Sequence, residues 1–199
     1  MAKHPLNWNG IAELPSRKYI CGGCGSPIAT NHGWIGTFHG PPAQRAYIYV
    51  CHFCSSPTFF DVDGTQIPGP VFGNPVKDVP EKSVAEIYDE ARRAISAASY
   101  TAAVLALRKL LMHVAVSKGA APGDSFVSYV AFLAANNYVP PDARDWVDHI
   151  RTQGNEANHD IKISTKDDAE ELLAFAEMLL KVIYEFPASV KRKYGTKTN

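Results

Sequence analysis

This chain has four cysteines, and they fall as two pairs of identical spacing: Cys21 with Cys24, then Cys51 with Cys54. No other feature restricts its folding as much. A Cys-x-x-Cys turn sets two sulfurs on one side of an ion, and a second such turn, 26 residues further on, completes a tetrahedral shell. Two disulfides or a redox dithiol are the competing readings. A redox dithiol normally adjoins a βαβ unit, and none is legible here. One zinc ion held by Cys21, Cys24, Cys51 and Cys54 is therefore expected. A shell closed by four thiolates leaves no position for substrate, so the zinc is expected to be structural. Its binding free energy, on the order of 10 kcal/mol, replaces the core that so short a segment cannot build. Glycines at 22, 23 and 25 are expected to permit the tight backbone of the first turn. His32, His39 and His52 lie nearby and read as surface or hydrogen-bonding residues.

The regions on either side of residue 65 differ in composition. Residues 1–65 are rich in Gly, Pro, aromatic and β-branched residues, and extended arms flank each Cys-x-x-Cys turn. The intervening WIGTF suits a further strand. Residues 66–82 carry Pro68, Pro70, Pro75 and Pro80, which exclude a helix or a central strand and predict an irregular connector. Residues 83–187 are rich in Ala, Leu and Glu and read as a helical domain, followed by a basic tail, 188–199, with Lys191, Arg192, Lys193 and Lys197. That tail reads as solvated. No internal repeat is read.

Five helices are predicted in the second half. The first opens at a Ser83/Glu86 capping box and carries Val84, Ile87, Tyr88, Ala91 and Ile95 on one stripe. The second covers about 101–118 and stops at Gly119. The third follows Asp124, and the fourth follows Pro140-Pro141, with Val147 and Ile150 as core positions. The fifth starts near Thr165, carries Leu172, Leu173, Phe175, Leu179, Leu180 and Ile183, and is expected to end at Pro187. Short connections predict antiparallel neighbours in a bundle. The fold class expected is mainly α, a helical bundle behind a small β zinc ribbon.

Charge and targeting bound the function. Lys plus Arg number 20 and Asp plus Glu number 20, so no bulk basic surplus marks the chain as a binder of long duplex DNA. Any nucleic-acid contact must come from a local patch. Trp34, Phe38, Tyr47, Tyr49, Phe53 and Phe60, with Arg17, Lys18 and Arg45, could stack on bases and hold phosphates, but packing inside the ribbon is the favoured reading. The opening MAKHPLNWNG does not read as a signal peptide, and the apolar run 102–116 is broken by Arg108, Lys109 and His113. A cytoplasmic location without membrane contact is expected.

The segment DHIRTQGNEANHDIKIS stands apart in the helical half. If a helix continues through Gly154, then Arg151, Asn155 and either Asn158 or His159 share one face. A guanidinium, an amide and an imidazole gathered there suit metal-free RNA cleavage, because imidazole can move the proton of a ribose 2′-hydroxyl and guanidinium can stabilise charge on phosphorus. Hydrogen bonding that ties helix ends together is the favoured alternative from spacing alone.

Three strings, SYTAAVLALRKLLMHV, IRTQGNEANH and FAEMLLKVIYEFP, carry a resemblance. Over residues 83–187 the chain resembles the prokaryotic family called domain of unknown function 4145, placed within the HEPN group of helical domains. The resemblance implies a five-helix HEPN-like bundle. It also implies a homodimer through that bundle and a role as RNase or RNA binder in phage defence, restriction or toxin–antitoxin loci. It places His159 and Asn155 at the catalytic positions. Catalytic HEPN members hold Arg and His closer than the seven residues that separate Arg151 from His159, and Gly154 stands where their Arg falls. Arg108, from the second helix, is the candidate replacement. Without one, the implied role is a non-catalytic relative that binds RNA or docks a protein partner, the latter through the ribbon.

Overall fold

The structure is a computed structural model that describes residues 12–38, 44–143, 145–150 and 163–195. Two compact units are present. The first comprises Met1–Phe72 with Ile95–Ala98, and the second comprises Gly73–Ala94 with Ser99–Asn199.

The first unit is an antiparallel meander of five strands, in the order β1 (Ala12–Ile20), β2 (Pro27–Phe38), β3 (Gln44–Val50), β4 (Pro57–Phe60) and β5 (Gln66–Ile67). The WIGTF segment is the second half of β2. The β1–β2 ladder is irregular between Glu13 and Arg17, where Pro15 has no N–H to give. Pro15 instead accepts the Tyr49 hydroxyl at its carbonyl, 2.8 Å away. At Gly33 the strand β2 pairs with β1 on one side and β3 on the other. A Cβ there would meet the Ile48 carbonyl oxygen at 1.9 Å, so only glycine fits the crossover. One face of the sheet buries Leu14, Tyr19, Ile28, Tyr49 and Phe60 around Cys21 and Cys51. Phe60 meets Tyr19 and Tyr49 edge-on, with centroids 5.2 and 5.7 Å apart. Such contacts are worth about 1 kcal/mol each beyond area burial.

The second unit is helical: α1 (Lys82–Ser96, whose last two residues fall with the first unit), α2 (Tyr100–Ser117), α3 (Phe126–Ala135), the helical residues 145–150 (α4), α5 (Lys166–Leu180) and α6 (Phe186–Tyr194). Helix α2 buries Ala103, Leu107, Leu110, Leu111, Val114 and Ala115, packing against α3 and α5. By length and composition α2 could also cross a membrane. Trp146 of α4 meets Phe175 of α5 edge-on at 5.3 Å.

The helix ends differ from expectation in instructive ways. Helix α1 opens at Lys82 rather than at a Ser83 cap, with Glu81 giving its carbonyl to the N–H of Val84 and Ala85. A reciprocal capping box is found at α5, where Thr165 and Asp168 bond each other's backbone N–H. Pro187 was expected to end the last helix. Instead the chain widens into a π-turn, Lys181–Glu185, and Pro187 sits in the first turn of α6, where a missing N–H costs nothing. Among the described residues the architecture is thus a five-stranded antiparallel sheet followed by helices. That is a mixed composition rather than a mainly α one, because Pro27–Phe38 and Gln44–Val50 are far longer strands than a minimal metal knuckle needs.

From Gly73 onward the proline-rich stretch before α1 is irregular but closely held within the second unit. Gly73 adopts φ +69°, and a Cβ there would meet Leu173 Cδ2 at 2.4 Å. Asn74 donates its backbone N–H and its side-chain amide to the Glu177 carboxylate, at 2.8 and 3.0 Å. Tyr88 donates to the Asn74 carbonyl, Arg92 to the Gly73 carbonyl and the Lys77 N–H to Glu185, each at 2.8 Å.

Candidate metal centre

Each cysteine pair sits on a turn that joins two strands, and the two turns are built alike. In the first, the Cys21 N–H donates to the Ser26 carbonyl and the Gly25 N–H to the Cys21 carbonyl, both at 2.9 Å. In the second, the Cys51 N–H donates to Ser56 at 3.0 Å and the Ser55 N–H to Cys51 at 2.8 Å. Gly25 and Ser55 hold the same left-handed backbone, at φ +73° and +57°. The sequence carries this likeness as a repeat. Tyr19-Ile20-Cys21, Cys24-Gly25-Ser26-Pro27 recurs thirty positions later as Tyr49-Val50-Cys51, Cys54-Ser55-Ser56-Pro57. The sequence reading found no repeat, and the offset of the cysteines was the signal that exposes it.

The four sulfurs gather in one place, all within 4.8 Å of one another. Cys21 and Cys54 are 3.7 Å apart at sulfur, and so are Cys24 and Cys51. A disulfide holds its sulfurs at about 2.05 Å, so neither contact is one, and all four cysteines are free. A tetrahedron of thiolates about 2.3 Å from a central ion has edges of about 3.8 Å. The arrangement fits a metal of that size.

The four thiols do not share one electrostatic setting. Burial pushes Cys21 up and Cys51 up to about 12, so both hold their protons at neutral pH unless a cation replaces them. Cys54 goes the other way. Burial raises it, but the hydroxyl and backbone N–H of Ser56 bond the sulfur and bring it down to about 7. The Gly23 N–H donates to Cys21 Sγ at 3.3 Å. Such N–H···S bonds are the outer-shell support that fixes metal ligands in place.

Of the turn glycines, Gly25 is where left-handed backbone is required. Gly22 serves a different purpose. A Cβ there would lie 2.6 Å from the Pro68 carbonyl oxygen and 2.7 Å from that of Gly69, so the chain after β5 closes directly over the turn. Gln66 fixes this closure by donating to the carbonyls of Ile20 and Pro68, at 2.8 and 3.0 Å, and the Gly69 N–H donates to Ser96 at 2.7 Å. Sequence singled out neither Gln66 nor Gly69, and Pro68 only as a breaker of regular structure, because their role here depends on a contact 46 residues away in the chain.

The aromatic candidates divide. Tyr49 and Phe60 are core residues, and Tyr47 is packed against them. Arg17 lies over the Phe60 ring at 3.8 Å. Phe53, at the tip of the second turn, is 67% exposed and stacks on His52. In the second unit, Arg108 is half-buried with its guanidinium 4.6 Å from the Phe126 ring centroid, and burial holds its pKa below the usual range. Arg151, Asn155, Asn158 and His159 lie outside the described residues.

These two units define a class: a four-thiol centre on a small sheet, combined with a helical domain. Residues 89–196 match the family described as Domain of unknown function (DUF4145), over more than half of the chain, and the protein belongs to that family. No curated protein and no solved structure matches it.

Proposed function

We propose that the first unit is a zinc ribbon with one structural Zn2+, and that the second is a HEPN-like domain that binds RNA in a prokaryotic defence or toxin–antitoxin setting. The observation that supports the metal is that the four sulfurs lie within 4.8 Å of one another, with two of their six separations at 3.7 Å, close to the edge of a zinc–thiolate tetrahedron. Bound there, zinc supplies a cross-link between the two turns and no open coordination position. The protein's own part is to hold the sulfurs in place, through the Ser56 and Gly23 bonds and the closure over Gly22.

The RNA reading rests on the resemblance to HEPN domains carried by the string IRTQGNEANH. In it His159 moves the 2′-hydroxyl proton, Asn155 orients the phosphate, and Arg151 or Arg108 stabilises the charge, in a cytoplasmic homodimer joined through the bundle. The test is incubation of the zinc-loaded protein with mixed RNAs in the presence of a magnesium chelator too weak to strip the zinc. Cleavage to 2′,3′-cyclic phosphate ends, abolished by His159→Ala, supports it. Intact RNA together with no RNA retention sinks it.

A second reading is favoured by the absence of a basic surplus and by Gly154 at the expected Arg position. In it the domain is non-catalytic, and ribbon and bundle dock protein partners. Retention of a stoichiometric protein partner from the native host, with no co-purifying RNA, distinguishes this reading from the first.

A further inference from the structure

Helix α6 turns an apolar stripe outward. Phe186, Val190 and Tyr194 are 54%, 58% and 68% exposed, and they recur every fourth residue. At about 100° per residue they lie within an arc of about 80°. Lys193 falls beside one edge of this arc and Lys191 beside the other, both exposed. Ala188 and Arg192 take the opposite side, where Arg192 pairs with Asp78 at 2.6 Å and fixes the helix with its stripe outward. No acidic residue lies between Phe186 and Tyr194. Next to Phe186, Ala174, Glu177 and Met178 of α5 line a shallow hollow together with Lys181, which is paired with Glu177.

We propose that α6 is a docking surface for an anionic lipid bilayer, with Phe186, Val190 and Tyr194 entering the headgroup boundary and Lys191 and Lys193 meeting lipid phosphates and carboxylates. This departs from the sequence expectation of no membrane contact, and it does not depend on the RNA reading. An apolar helix face edged by lysines is the pattern of helices that lie in the membrane interface, where the long cationic stems reach sideways to headgroups. Charge selects this occupant over the alternatives. A second copy packed in parallel would bring Lys191 and Lys193 against their own like, and an antiparallel one still offers no acidic side chain between Phe186 and Tyr194 to meet them. Single-stranded nucleic acid would reward the two aromatic rings and the lysines, but it offers nothing to Val190 at the centre of the stripe.

The test is co-sedimentation of the full zinc-loaded chain with vesicles of phosphatidylserine in phosphatidylcholine, against vesicles of phosphatidylcholine alone. Binding to the anionic vesicles only, weakened by added salt, is expected. Each lysine near an anionic surface is worth about a fivefold change in binding, so K191A/K193A weakens it roughly thirtyfold. V190S weakens it too, with helicity and zinc content unchanged. A tryptophan placed by Val190→Trp shifts its fluorescence to the blue on adding the anionic vesicles. Four results overturn the proposal: no sedimentation with anionic vesicles, equal binding to neutral ones, displacement by single-stranded RNA, or a dimer in solution that V190S converts to monomer.

Discussion

Burial of Cys21 and Cys51 gives the proposed zinc centre a pH dependence that can be measured. Both thiols are held above their ordinary value, Cys51 up to about 12, so binding an ion at neutral pH expels protons and affinity rises with pH. Acidification is expected to release the metal, followed by a colorimetric zinc indicator. Cys51→Ser is expected to leave less than one equivalent of zinc and an unfolded sheet, read as lost ellipticity near 215 nm from β structure on the scale of the roughly 10 kcal/mol a structural site supplies. The turn residues divide by mechanism. Gly22→Ala drives a Cβ into two carbonyl oxygens and should cost about 1–3 kcal/mol in denaturant unfolding. Ser55→Gly relieves a positive φ and should stabilise by up to about 1 kcal/mol. The clustering of the four cysteines was legible because spacing alone carries it. The purpose of Gly22 was not, because it lies in the approach of Pro68 and Gly69, which no local pattern records.

At the scale of elements, hydrophobic periodicity located α1, α2, α3 and α5 to within a residue or two at their first turns, since apolar spacing is a property of each helix by itself. It misjudged Pro187, because a π-turn is made by tertiary packing and leaves no mark on the stripe. It also gave no account of the chain from Gly73 to Asp78. There, order comes from side chains far along the sequence, above all from Glu177, which accepts from Asn74 and Lys181. Burial raises the Glu177 carboxyl, but Lys181 and the two Asn74 donors outweigh it and hold it below the usual carboxylate range. Its folded pKa is therefore the lower one, so its contribution is full above the unfolded value of about 4.3 and is lost as pH falls through the folded value. Glu177→Gln should cost about 1–3 kcal/mol at pH 7, and the difference from wild type should shrink in acid, measured by thermal unfolding across pH. A constant difference at all pH values would mean that the carboxylate charge is not what holds the segment.

For the whole molecule, what the sequence makes legible is a change of grammar, from strand-forming and turn residues to Ala, Leu and Glu. The structure gives each part its own source of stability. The first unit buries a small aromatic group around Cys21 and Cys51, and its remaining cohesion comes from the turns that carry the cysteines. The second buries long apolar side chains from α2, α3 and α5, including Leu107, Leu111, Val130, Leu133, Leu173 and Leu179, each fully buried. A core of that kind is worth about 1.5–3 kcal/mol per side chain before entropy is subtracted, and no metal ligand belongs to it. Removing the metal should therefore have a divided effect. With a strong chelator and reductant, amide exchange across residues 12–72 is expected to accelerate by several orders of magnitude, as about 10 kcal/mol of binding free energy is withdrawn from a unit whose core cannot replace it. Exchange across α2, α3 and α5 should change little, and the helical signal near 222 nm should persist through the same titration. Uniform loss of protection in both units would show that the helical core draws on the metal as well. Unchanged protection in residues 12–72, with zinc verified as absent, would show that Tyr19, Tyr49 and Phe60 suffice as a core and that the sulfurs serve some purpose other than stability.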